Sequence, residues 1–204
     1  MMYTGVIQWD ISSFYAINSI SNPLLDLFMV AITHLGSIFF ISILGLVILM
    51  IAKNENIKKI AVLILMGLAI HAMLITLIKV AVNRERPSEA LNDVSLKVWG
   101  YEAKAHGASF PSGHAGRWFI LATILIPSRR RLRKFSYFSI AIGILVSISR
   151  IYVGMHFPLD VIFGAGFGFL AGYLTLKLEE RFEPQIQNLC LKLPFFGSDN
   201  KSFL

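Results

Sequence analysis

Long apolar runs separated by short charged loops constrain this chain more than any other feature. Ser37 to Ala52, Ile60 to Val82, Ala115 to Ile126, Phe138 to Val153 and Leu159 to Leu176 each read as a span, and residues 24 to 34 offer a sixth. A bilayer core of about 30 Å takes about 20 helical residues to cross, and only closed hydrogen-bonding structures, helices foremost, survive inside it. The 204 residues are 55% hydrophobic and only 15% charged, against about a quarter charged in a soluble domain. The pattern predicts an all-α, multi-pass transmembrane bundle of five to six spans. It predicts one membrane-embedded domain over 1–204, with a core at about 24–176.

Residues 1–22 lack a basic head and an unbroken apolar stretch, so no cleaved signal peptide is expected. Ile7, Ile11, Phe14, Tyr15 and Asn18 recur at helical spacing, which predicts an N-terminal helix lying in the membrane interface. The net charge of +7 comes mostly from short loops rather than an aromatic-studded basic surface. Topology signals and anion binding explain it, and a nucleic-acid partner is not expected. Lys53, Lys58 and Lys59 crowd one loop, and Arg129, Arg130, Arg131, Arg133 and Lys134 another. The positive-inside rule puts both in the cytoplasm, with the charged tail 177–204. Alternation then sends the long 84–110 connection and the 150–158 junction to the opposite, extracytoplasmic side of the cell membrane, where they can meet.

Ionisable side chains bordering apolar spans are costly and mark functional candidates. Lys79 stands seven residues before Arg86, and the two share a face if the helix persists that far. Such residues often only snorkel at helix ends, but an ammonium and a guanidinium converging on one point also clamp a phosphate. Arg84 falls off the Lys79 face and reads as peripheral. Ser112, Gly113 and His114 stand at the start of a span, where Ser112 suits an N-cap. The same geometry aims backbone N–H groups at an anion. Ser149 and Arg150 close the next span, followed by His156 and Asp160. The last two are helical neighbours, in which a carboxylate can fix the tautomer of an imidazole and leave its other nitrogen as a nucleophile.

Lys79 with Arg86 and Pro87, then Pro111-Ser112-Gly113-His114, then Ser149-Arg150 with His156 and Asp160, occur in order. In this the chain resembles the type 2 phosphatidic acid phosphatase superfamily of membrane lipid phosphatases, over about residues 24–176. The resemblance implies that His156 attacks phosphorus to form a phosphohistidine, that Asp160 supports it, and that His114 protonates the leaving group. Lys79, Arg86, Ser112, Gly113, Ser149 and Arg150 would hold the substrate. It implies no metal ion and no cofactor, and no carboxylate cluster like a magnesium site is apparent in the sequence.

The compact plan, the amphipathic start and Thr33-His34-Leu35-Gly36 are most similar to the polyprenyl-diphosphate phosphatase branch. Lys79 and Gly113, however, are similar to the monophosphate-lipid members. The implied reaction is hydrolysis of a polyprenyl diphosphate of the undecaprenyl type to its monophosphate. Phosphatidylglycerophosphate or phosphatidic acid is the alternative. A lipid transporter or scramblase using the same cations is the non-enzymatic rival, against which the His114, His156 and Asp160 set weighs. The head group is expected to enter between the spans 60–82, 115–126 and 159–176.

Gly164, Gly166, Gly168 and Gly172 read as helix packing. His71 reads as a hydrogen-bonded bundle histidine and His106 as a solvated one. Trp99, Tyr101 and Trp118 read as interface anchors, and Glu85, Glu89, Asp93 and Glu102 as solvated residues near the site.

Overall fold

A computed structural model describes residues 2–98, 107–127 and 130–193; Trp99, Tyr101, Glu102, His106 and Arg129 lie outside them. The chain runs through α1 Met2–Asn18, α2 Pro23–Leu35, α3 Ile38–Ile51, α4 Glu55–Val82, α5 Pro87–Ala90, α6 Gly113–Leu125, α7 Arg130–Tyr152, α8 Pro158–Arg181 and α9 Glu183–Lys192. The described residues form no strand. Polar caps start several of these helices by satisfying orphan N–H groups. Asn22 accepts from Leu24 N–H, Ser37 from Phe40 N–H and Asn54 from Asn56 N–H. Pro23 and Pro158 occupy first-turn positions where no amide donor is needed.

Helix α6 is the hub. Ten of its thirteen residues are buried, as expected of a helix that is apolar all round, and it packs chiefly on α8 and α7. Close approach to α8 depends on glycine. A Cβ on Gly164 would run into the Ser112 carbonyl, one on Gly168 into the Gly116 carbonyl, and one on Gly172 would come within 2.6 Å of Thr123. The expected packing role therefore holds for these three, but Gly166 has nothing within 4 Å of such a Cβ. Ile64, Leu68, Trp118, Ile120, Ile124 and Val146 belong to the main apolar core beside α6. Trp118 is buried and donates from Nε1 to the Leu35 carbonyl at 3.0 Å, so it is a core residue and not an interface anchor.

Among the described residues three helices, α4, α7 and α8, are long and apolar enough to cross a membrane, and a fourth crossing is available if the bent α1–α2 pair counts as one. The five to six expected spans exceed this because α3 has 14 residues and α6 has 13. At 1.5 Å per residue these reach about 20 Å, short of a core of about 30 Å. Exposed Leu24, Phe39, Leu77, Val80 and Ile162 nonetheless give the bundle an apolar outer surface suited to lipid.

Three corrections concern the ends. Helix α1 packs on the bundle through Asp10 as well as Phe14 and Asn18 of the expected repeat, while Ile7 is 46% exposed, so the packed face is turned toward Asp10. The residues from Lys177 to Arg181 continue α8 rather than beginning a tail. Helix α9 then packs back, with Ile186 and Cys190 in the main core and Lys58 Nζ donating to the Leu193 carbonyl at 3.0 Å. The two basic loops do share one end of the bundle, where Asn56, Lys59, Pro127, Leu132 and Glu179 line a single depression. Lys79 lies 24 residues from the start of α4, about 36 Å along the helix, so the candidate site is at the other end.

Candidate active site

The site forms where the ends of α4, α6 and α7 meet the segments leading into α6 and α8. Asn83 ends α4 in the left-handed region, at φ 45°, and its N–H donates to the Lys79 carbonyl. Asparagine tolerates this conformation better than most residues. The helix therefore does not persist to Arg86 as the spacing argument required. Both residues reach the site all the same. Lys79 Nζ donates to the Ala108 carbonyl, and Arg86 donates from Nε to Gly107 at 3.1 Å and from Nη1 to Met155 at 3.2 Å. The long connection and the 150–158 junction thus meet, as expected, with a further bond from Lys97 N–H to the Val153 carbonyl at 3.2 Å.

Arg150 is buried and donates from Nη1 to Thr33 Oγ1 at 2.8 Å, which ties the Thr33 to Gly36 stretch to the site. Its own carbonyl accepts from the N–H groups of Met155 and His156 at 3.1 and 3.3 Å. The end of α7 therefore positions the histidine directly. His156 Nδ1 lies 3.5 Å from Asp160 Oδ2 and 3.4 Å from Ser109 Oγ. The Asp160 side chain also accepts from Ser109 Oγ at 2.5 Å and from Phe157 N–H at 2.9 Å. With Nδ1 turned to the carboxylate, Nε2 stands on the opposite edge of the ring. Burial first, and then the charges of Arg150 and Arg86, hold the His156 imidazole down at about 3 despite the opposing pull of Asp160. The ring is neutral at physiological pH, the state a nucleophile needs.

A cavity of about 290 Å³ collects Lys79, Arg86, Gly113, His114, Arg117, Arg150 and His156, with Ser37, Ile38, Phe39, Ile75 and Met155 completing the wall. Among its lining residues none belongs to α8, whereas Ile38 and Phe39 at the start of α3, with the N-cap Ser37, do line it beside α4 and α6. Ser112 occupies the N-cap of α6 but makes no capping bond, and its buried Oγ has no partner among the described residues. Its N–H donates to the Asp160 carbonyl at 2.9 Å, locking the two motifs together. Neither Ser112 nor Ser149, both expected as ligands, is on the cavity wall, and Ser149 Oγ donates to the Val146 carbonyl at 2.7 Å within its own helix. His71 is buried against Gly116 rather than on the cavity wall, and its Nε2 lacks the expected hydrogen-bond partner among the described residues.

Two arginines at the site were not anticipated. Arg84, read as peripheral, donates to Asp160 Oδ1 at 2.7 Å and to Asp10 Oδ2 at 2.5 Å, and its guanidinium stacks 4.0 Å over the Phe157 ring. Asp10, fully buried, also accepts from Leu159 N–H at 2.8 Å. Helix α1 thus helps fix the first turn of α8 and the Asp160 carboxylate. Arg117, one turn after His114, is the other. Its signal was the spacing of three from a motif histidine on a helix.

A family model described as the PAP2 superfamily matches residues 60–183, a stretch holding every residue of the three motifs. The chain belongs to the PAP2 superfamily. It is similar to the Lipid A 4'-phosphatase of Bacteroides thetaiotaomicron, at 28% identity over 84% of this chain and 77% of that protein. It is similar also to Undecaprenyl-diphosphatase BcrC of Bacillus subtilis, at 30% identity over 84% of each. The crystal structure of Aquifex aeolicus LpxE superposes with a TM-score of 0.67 at 30% identity, covering 82% of this chain and 94% of that one. The chain is a membrane-associated lipid phosphatase of this superfamily.

Proposed function

We propose that this chain hydrolyses a polyprenyl diphosphate to its monophosphate through a phosphohistidine at His156. The observation that carries the reading is the pairing of a neutral, buried His156, anchored through Nδ1 by Asp160, with a cavity walled by Lys79, Arg86, His114 and Arg150. Nε2 forms a bond to phosphorus, and the bond from phosphorus to the leaving oxygen breaks with its electron pair on that oxygen. His114 supplies the proton. Water, with His114 now accepting a proton, then cleaves the P–N bond to release phosphate and restore the imidazole. The cations and the Gly113 N–H stabilise charge on the transferring group.

The chain acts as one domain of five to six passes, in which the short α3 and α6 and the bent α1–α2 pair cross beside the three long helices through a bilayer locally thinned around them. The basic loops lie in the cytoplasm and the site faces the extracytoplasmic side. The distance along α4 between Lys59 and Lys79 supports that placement. Likeness to an undecaprenyl-diphosphatase over most of both chains favours the diphosphate. Lys79 and Gly113, shared in type with monophosphate-lipid members, favour phosphatidylglycerophosphate or phosphatidic acid as the second reading. Purified protein in detergent, given all three lipids, should release phosphate most efficiently from the diphosphate and be inhibited by orthovanadate. Highest kcat/KM on a phospholipid monoester would replace the first reading with the second, and absence of turnover on every lipid would end both.

A further inference from the structure

The three motifs supply Lys79, Arg86 and Arg150 to the cavity, but Arg117 lines it too and belongs to none of them. Its guanidinium is held in place. Nη1 donates to the Gly36 carbonyl at 2.6 Å, and Nη2 stands 3.1 Å from where a Cβ on Gly113 would be. Arg117 therefore bridges the α2–α3 turn and the first turn of α6. Its Nε is buried and has no hydrogen-bond partner among the described residues. No carboxylate lines the cavity. A guanidinium buried without a carboxylate is costly, and the cost is offset when an anion enters.

Which anion follows from the position on α6. Arg117 is three residues beyond His114, so it is the next side chain along the same face of the helix. In the reading above, His114 protonates the leaving oxygen, which places the leaving group on this side of phosphorus. A monoester leaves as a neutral alcohol and offers Arg117 no charge. A diphosphate leaves as a phosphate with two further oxygens, already anionic and gaining charge as the bridging P–O bond breaks. A guanidinium matches that pair of oxygens with parallel donors.

We infer that Arg117 binds the inner, departing phosphate of a lipid diphosphate and sets the preference of this enzyme for diphosphates over monoesters. The inference rests on the proposed role of His114.

The test compares farnesyl diphosphate with farnesyl monophosphate, which share a tail and differ only in the inner phosphate. Initial phosphate release by wild type and Arg117→Gln gives kcat/KM for each. The diphosphate-to-monophosphate ratio should fall about tenfold or more in the variant, the scale of losing a charged hydrogen bond. Arg117→Lys keeps the charge and the packing stem, so it should fold even if the glutamine variant does not, and it should show a smaller fall in the same ratio. An unchanged ratio in either variant, or a fall confined to the monophosphate, would overturn the inference while leaving the phosphatase reading intact. Wild-type inactivity on both lipids would overturn that reading as well.

Discussion

Asp10 lies 150 residues from Asp160 in sequence, yet the two carboxylates share one guanidinium, and removing the charge of Asp10 should weaken catalysis. In Asp10→Asn the amide oxygen can still accept from Leu159 N–H, so the start of α8 keeps its cap. The amide nitrogen, however, faces Arg84 as donor against donor. Breaking a buried ion pair costs about 3–5 kcal/mol. Arg84 is 26% exposed, so water takes up part of the loss and about 2 kcal/mol remains. At 1.36 kcal/mol per factor of ten, a loss of that size felt wholly at the catalytic carboxylate lowers kcat about 30-fold. KM should change little, because Asp10 is not on the cavity wall. Thermal unfolding should drop by about 4–8 °C, since 1 kcal/mol corresponds to about 2–4 °C in a chain of this size. The assay is initial phosphate release in detergent, with unfolding followed in the same buffer. A variant with lowered unfolding temperature but kcat within twofold of wild type would refute the coupling of α1 to Asp160.

Arg86→Lys should lower kcat/KM about 10- to 100-fold, because a single ammonium cannot keep the bonds to both Gly107 and Met155 while contacting a phosphoryl oxygen; steady-state kinetics decide it. Gly168→Ala puts a methyl into the Gly116 carbonyl, so α8 must move off α6, and overpacking of this kind costs about 1–3 kcal/mol, read as a lowered unfolding temperature. For pH, the sign follows from the depressed His156: the unfolded imidazole protonates near 6.5 and the folded one only near 3, so stability is complete above 6.5 and is lost as pH falls towards 3. Between pH 6.5 and pH 5 that amounts to about 2 kcal/mol at 1.36 kcal/mol per unit; wild type should lose this much more than His156→Gln when unfolding is measured at both pH values.

The candidate site residues were legible because three motifs stand in order at the borders of apolar runs, where ionisable side chains are costly. The helices were legible from the same runs, to within a few residues in most cases. What failed was whatever depended on long-range partners. Asp10 carries no expected role in the sequence, and Asn18 counts there only as one step of a helical repeat. Their burial is set by Arg84 and Leu159 for one, and by Ser95 and Tyr152 for the other. Arg84 falls off the Lys79 face only on a helix that continues through Asn83, whose left-handed conformation instead redirects the chain. Ser149 illustrates the reverse error. Its motif position suggested a ligand, but a serine in a helix can return its hydroxyl to a nearby carbonyl of the same helix.

The central claim is a covalent intermediate on His156, and trapping tests it most directly. Enzyme mixed with lipid carrying ³²P in the terminal phosphate and quenched in alkali should retain label that is stable to base and released by acid, as a phosphoramidate is. His156→Ala should retain none, although it still inserts and binds substrate. Equal label on the variant, or turnover by wild type with no labelled protein at any quench time, would contradict the account.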